Sequence, residues 1–291
     1  MYSYEILTDA AADVPSESID RYSIRIIPMS YLLGDEEKIC HGRETDEEKT
    51  AFYRAEREGA SVKSTQINPE RYREIFEPYA KEGKNVLYVC LSGGLSQTYA
   101  SSVTAAQSLK EQYPDVSIVC IDSKSASVGM GLLTEIAAKN RENGLSLSDN
   151  AADLENKKLQ ICHWFTVDDL EFLKRGGRVP AGLAAIGKLL RIKPIMRIAE
   201  DGTLGSFAKK MGLKPALNEL TNLYSTHTTG GENEEIRIVH CDCPQIADTV
   251  EQTLQSLNPS ARIIKQQMSP IIGVHVGYDV ICVVHLGKRS V

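Results

Sequence analysis

Ser92, Gly93, Gly94 and Ser96 stand where a charge-free apolar run, residues 86–91, gives way to a helical pattern. Such a run, rich in β-branched and aromatic residues, suits a strand buried on both faces. Strand, glycine turn and helix in that order can make an anion-binding corner. The first helical N–H groups are unpaired and partly positive, and glycines let a ligand approach the backbone. The hydroxyls of Ser92 and Ser96 would add donors. The same residues also suit an ordinary βα turn with Ser96 as an N-cap, and the turn taken alone favours that plainer reading. Asp9 ends a first short strand, where open α/β sheets place ligands, although capping a helical turn accounts for it more simply. Ser64 and Thr65 are hydroxyls in a polar loop over 62–69 whose position does not decide between binding and loop structure. Arg178 follows the glycine pair 176–177, which stops a short helix. Its planar fork suits a carboxylate or phosphate, and a solvated surface arginine is an equal alternative. His275 is the one histidine of the glycine-flanked stretch 269–277, and it can contact a ligand or brace a tight loop. Cys241 and Cys243 beside His240 have a metal-like spacing but no second ligand pair, so small core cysteines are favoured.

The elements that must position these residues come from periodicity. Strands are expected over 4–8, 24–33, 86–91 and 117–121, with helices over 45–58, 69–81, 96–113 and 126–138. Thr45 with Glu48 three residues on makes a capping box. Gly129 and Gly131 cost about 1 kcal/mol each inside a helix relative to alanine, so they imply close approach by another backbone or a ligand. Repeated βα units predict a mainly parallel, doubly wound sheet. From about 161 the pattern changes. A strand over 161–167, a short helix over 168–174, a helix of small residues over 181–190 and a hairpin about Asp201-Gly202 follow. Further strands over 236–240, 261–266 and 279–286 alternate with helices over 213–226 and 245–257. The expected fold is α/β in two domains, residues 1–160 with the parallel sheet and 161–291 a mixed α+β domain, with a ligand between them.

At 291 residues and 42% apolar content the chain can bury the cores of two domains. Its net charge of −6 argues against a nucleic-acid binder. No apolar run reaches the length of a membrane helix, and the N-terminus opens into a strand rather than a signal peptide, so a cytoplasmic location is expected. The seven cysteines are an odd number, and those in apolar runs suit a reducing compartment. There is no phosphate-binding GxxxxGK[ST] loop and no GxSxG elbow.

Seven segments together resemble the DegV family of bacterial fatty-acid-binding proteins, over essentially the whole chain. They are LTDAAADVP (7–15), KSTQ (63–66), LSGGLSQTY (91–99), IDSKSAS (121–127), DLEFLKRGGR (169–178), IKPI (192–195) and IGVHVG (272–277). The resemblance implies a binding protein, not an enzyme, without a cofactor. A long-chain fatty acid would lie buried in a tunnel between two α/β domains. Its carboxylate would be held by Ser64, by Ser92 with the Gly93 backbone, and by His275, with Arg178 as a further anion or partner contact. A carboxylate accepts hydrogen bonds only, which suits hydroxyls and N–H groups. The chain departs from the family at Ser64 (threonine), Gly93 (serine), Ile67 (proline) and 277–279 (GPG). Some members hand the fatty acid to a kinase as partner. The arginine implicated in that contact is Met211 here, which weakens the kinase implication more than the lipid one. An acyl hydrolase pairing Ser92 with His275 is the alternative.

Overall fold

The computed structural model describes residues 2–180, 183, 192–231 and 234–289. The helix expected over 181–190 therefore lies outside the described residues, Leu183 aside. The chain opens with β1 (Tyr4–Asp9), α1 (Ser16–Arg21) and β2 (Arg25–Ile27). The apolar run 24–33, expected as one strand, is two. Pro28 has no N–H for a ladder, and the chain leaves β2 there to enter β3 (Met29–Leu33), which pairs antiparallel with β4 (Glu36–Cys40). Next comes α2 (Asp46–Arg57). Thr45 Oγ1 accepts from the Glu48 N–H at 3.2 Å and a Glu48 carboxylate oxygen accepts from the Thr45 N–H at 2.8 Å, completing the capping box. The loop expected over 62–69 begins as a strand, β5 (Val62–Ser64), paired with β3.

The βα units follow: α3 (Pro69–Lys81), β6 (Asn85–Cys90), α4 (Thr98–Gln112), β7 (Ile118–Asp122), α5 (Ser127–Glu142) and α6 (Leu147–Lys157). Beyond them lie β8 (Ile161–Thr166), α7 (Glu171–Arg175), the hairpin β9 (Ile192–Ile198) and β10 (Leu204–Met211), and α8 (Leu213–His227). The last elements are β11 (Glu235–His240), α9 (Pro244–Leu257), β12 (Arg262–Gln267), α10 (Pro270–Val276) and β13 (Ile281–Leu286). Segment 269–277, read as a glycine-flanked stretch without assigned structure, is thus mostly a short helix.

Three sheets result. The order β2-β1-β6-β7 is wholly parallel. The order β10-β9-β8-β13-β11-β12 is mixed, with β11 and β12 parallel and the other pairs antiparallel. The small sheet β4-β3-β5 is antiparallel. The fold is α/β, with the parallel sheet in the N-terminal part and the mixed sheet in the C-terminal part, as its pattern of elements implied.

Helix α5 packs on β1 and β6 on one side and on β8 and β13 on the other. It is apolar and buried almost all round, which is what a helix between two sheets requires. Its glycines make the fit: a Cβ at Gly131 would lie 2.4 Å from the Ala12 carbonyl oxygen, and one at Gly129 2.0 Å from His163 Nε2. One apolar core runs through this layer and includes Leu7, Val89, Leu133, Phe165, Val239 and Val284. A second, with Trp164, Ile236 and Val283, fills the far face of the six-stranded sheet under α8 and α9. Alternation along β8 divides them, sending His163 and Phe165 to one face and Trp164 to the other.

Candidate ligand-binding site

A cavity of about 330 Å³ lies between the inner face of the six-stranded sheet, the start of α5, α7, α10 and the small sheet. Most of its wall is apolar: Phe165, Ile198, Val239 and Val284 from the large sheet, Ile271 and Val274 from α10, with others alongside. Ser64, Ser96, Arg178 and His275 also line it, so long apolar walls meet a small polar group.

His275 comes from α10, which starts with Pro270 at its first turn and ends at Gly277. Gly277 has φ +76°, and a Cβ there would fall 2.4 Å from the Phe172 ring. The imidazole Nε2 lies 2.8 Å from Ser64 Oγ. Its Nδ1 has no hydrogen-bond partner among the described residues. A Cβ at Gly176 would sit 2.7 Å from that nitrogen, so the first glycine of the RGGR stretch makes room for the ring. Burial, and next the charge of Arg178, push the His275 pKa down to about 4. The ring is therefore neutral near pH 7. Ser64 ends β5, and the pairing of β5 with β3 places it. The neighbouring Thr65 hydroxyl is committed to the Ser30 carbonyl at 2.9 Å. Arg178 is exposed and reaches across from the end of α7. It donates from Nε to the Leu95 carbonyl at 3.0 Å and from a terminal nitrogen to the Gly176 carbonyl.

Ser64, His275 and Arg178 thus meet at the cavity, whereas Ser92 and Gly93 do not line it. Ser92 is fully buried. Its hydroxyl donates to the Gly202 carbonyl at 2.8 Å and accepts from the Gly94 N–H at 3.2 Å. The Gly93 N–H donates to Asp122 Oδ1 at 3.0 Å. The Leu95 and Ser96 N–H groups both donate to the Ser92 carbonyl. The anion corner expected at Ser92 and Gly93 is therefore closed, with the protein's own Asp122 carboxylate taking the Gly93 N–H. Helix α4 begins later, at Thr98, whose N–H donates to Ser96 Oγ at 3.2 Å. From this turn the cavity receives Ser96 and Leu95. The Ser92–His275 pair that a hydrolase would need is not formed, because each side chain has another partner.

Other candidates are structural. The Asp9 carboxylate is buried, accepting from Tyr88 Oη at 2.7 Å and from the Ala11 N–H at 3.0 Å. Cys241 and Cys243 are buried, with Tyr53 Oη donating to Cys241 Sγ at 3.3 Å. Among the described residues no group of His, Cys, Asp or Glu is placed to hold a metal ion, and no helix is long and apolar enough to cross a membrane. Met211, at the end of edge strand β10, is 66% exposed.

The DegV family, described as "Uncharacterised protein, DegV family", matches residues 3–288. This chain belongs to it. A DegV domain-containing protein of Clostridium perfringens is 36% identical over 292 residues, covering 100% of this chain and 99% of the relative. The crystal structure of a DegV lipid binding protein from Thermotoga maritima superposes with a TM-score of 0.82 at 27% identity, covering 99% of this chain and all of that one. A second Thermotoga maritima protein, whose structure is described as revealing fatty acid binding function, gives a TM-score of 0.80 at 27% identity over 98% of this chain and all of that one. Fatty acid binding is thus on record for DegV structural relatives.

Proposed function

We propose that this DegV-family protein binds a long-chain fatty acid, its acyl chain in the cavity and its carboxylate at Ser64, His275 and Arg178. The observation that carries the reading is the meeting of a long apolar wall with the Ser64–His275 hydrogen bond and the Arg178 guanidinium. An alkyl chain gains about 0.8 kcal/mol per CH₂ removed from water, so the chain would supply most of the affinity. The head group would fix orientation. Ser64 donates its hydroxyl proton to a carboxylate oxygen, and Arg178 lowers the cost of placing a negative charge beside a half-buried histidine. Ser92 and Gly93 then act at one remove, by holding the turn that presents Ser96 and Leu95. The position is that of a binding protein rather than an enzyme: His275 Nδ1 has no acidic orienter among the described residues, which a serine–histidine nucleophile would need.

As a carrier, the protein would present the carboxylate to a separate kinase, using a surface that carries Met211 where some relatives have arginine. Native mass spectrometry of the purified protein, followed by lipid extraction and displacement of a fluorescent fatty acid, tests the reading. A mass excess that resolves into a fatty acid, or submicromolar displacement by stearate, supports it. A bare protein that binds no fatty acid contradicts it.

A further inference from the structure

The cavity carries more positive charge than one carboxylate beside Arg178 requires. Arg175, the last residue of α7, also lines it, as does Lys63 next to Ser64. All three cations are exposed. Their neighbours are paired: Lys174 with Glu171, Lys193 with Asp168, and Arg57 with Asp242 and Asp279. Arg175, Arg178 and Lys63 form no ion pair among the described residues. No Asp or Glu among the described residues lines the cavity, and the stretch 176–199 that follows α7 contains none. In a chain of net charge −6, that is a local reversal of sign.

Arg175 is also held in place. Its guanidinium carbon lies 4.6 Å over the Phe172 ring, which meets the Tyr278 ring edge-on at 5.4 Å. Tyr278 in turn carries the Arg57 guanidinium at 4.2 Å. The two ends of this row differ. Arg57 is neutralised by Asp279 and Asp242 at 2.7 and 3.3 Å. The carboxylate that feels the Arg175 charge is Glu56 of α2, which is buried and not ion-paired with it. A guanidinium stacked on an aromatic face keeps its charge and its donors. An exposed, unpaired charge at the rim of a low-dielectric opening acts on the approach of an anion more than on its final contacts.

We propose that Arg175 is the capture residue of the site: it draws an anionic head group to the cavity, and so selects the ionised fatty acid over neutral lipids of the same chain. The inference rests on the fatty-acid reading above and adds a step before its final contacts. Arg175 attracts the carboxylate through charge, and Ser64, His275 and Arg178 then hold it. Arg175 therefore governs the association rate, whereas the Ser64 hydrogen bond governs dissociation. Salt weakens capture, because the screening length shrinks from about 30 Å at about 0.01 M to about 3 Å at about 1 M. A long-chain alcohol carries no charge and gains nothing from Arg175.

The test is stopped-flow association and dissociation of a fluorescent fatty acid across a sodium chloride series, with the fluorescent alcohol of the same chain as the uncharged control. Wild type is compared with Arg175→Gln, Arg175→Lys and Ser64→Ala. The expected result for wild type is that the acid associates about fivefold or more slowly at high salt than at low salt, while the alcohol shows no such loss. R175Q lowers the low-salt association rate of the acid about threefold or more and flattens its salt dependence, with dissociation unchanged within about twofold. R175K, which keeps the charge, restores the rate. S64A instead speeds dissociation. If the acid binds wild type at a rate that salt does not change, or if R175Q associates as fast as wild type or alters only dissociation, the inference is overturned while the fatty-acid reading stands. If wild type binds no fatty acid, that reading fails and the inference fails with it. Should R175Q not fold, the wild-type salt series, acid against alcohol, decides alone.

Discussion

Ser64 has one proton to donate, and in the ligand-free protein the His275 imidazole competes for it. At 2.8 Å either group can be the donor. With hydrogen on Nδ1, Nε2 accepts the Ser64 proton. With hydrogen on Nε2, the ring donates to Ser64 Oγ and the hydroxyl proton is free for a carboxylate. Arrival of the ligand selects the second tautomer, and no proton need be taken up because burial keeps the ring neutral, with a pKa of about 4. Calorimetry in buffers of different ionisation enthalpy should then show no net proton uptake on fatty-acid binding between about pH 8 and about pH 6. Proton uptake near one per site would mean that an imidazolium forms. Ser64→Ala should weaken binding by about tenfold or more, as expected for losing a hydrogen bond to a charged group, and Ser64→Thr, which keeps the hydroxyl, should retain it. Gly176→Ala pushes a methyl group to 2.7 Å from His275 Nδ1. The ring must shift from the position in which it meets Ser64, so displacement assays should show weakened binding while circular dichroism stays that of a folded protein.

At the scale of elements, the turn at 92–98 marks both what the sequence disclosed and what it withheld. The strand before it, the helix after it and the capping box at Thr45 are local patterns, and each stands within a residue or two of its expected place. The closure of the turn is not local. Ser92 meets Gly202 of the β9–β10 hairpin, 110 residues away, and Gly93 meets Asp122, 29 residues away. No spacing rule could pair them. Likewise β5 is three residues long and α10 seven, too short for periodicity to register, yet they bring Ser64 and His275 together. That these two residues share a site was legible from the family resemblance, not from spacing. The loss in Ser92→Ala should therefore be one of stability, since it strips a buried carbonyl of its donor. A cost of about 1–3 kcal/mol is expected, read as a lowered thermal midpoint of the ligand-free protein. An unchanged midpoint with lost binding would instead place Ser92 on the ligand.

At the scale of the whole molecule, the cavity is walled by the six-stranded sheet on one side and by the small sheet, the turn after β6 and the start of α5 beside it, so what pins these parts together also shapes the site. The Asp13 carboxylate accepts from the Ser127 hydroxyl at the start of α5 and from the Ser269 N–H at the start of α10, the latter at 2.9 Å. Arg237 of β11 and Glu135 of α5 form a buried ion pair at 2.9 Å. Arg289 donates to the Ile161 and Lys124 carbonyls. Buried histidines add a pH term. His163, His275 and His285 are held by burial at about 3, 4 and 4, below an unperturbed 6.5. The unfolded chain therefore takes up protons that the native state refuses, and stability present above about pH 6.5 is lost on acidification towards about pH 4. Asp9, raised to about 6, and Glu56, raised to about 7, also mainly by burial, act in the opposite sense and offset part of it. His240, lowered mainly by burial, adds to the loss and Asp13, raised mainly by burial, adds to the offset, so four histidines stand against three carboxylic acids and leave a net loss. The thermal midpoint should fall between about pH 7 and about pH 5, and His163→Leu should flatten that slope. A midpoint that rises on acidification would contradict the neutral histidines.

The most direct test is a crystal structure of the protein with a long-chain fatty acid brominated at its methyl end, since anomalous scattering locates the tail independently of the head. The account predicts the carboxylate within hydrogen-bonding distance of Ser64 Oγ, with Arg178 beside it, and the bromine buried against the inner face of the six-stranded sheet. A carboxylate at the Ser92–Gly93 turn with Ser64 uncontacted, a reversed chain, or an empty cavity at saturating ligand would contradict it.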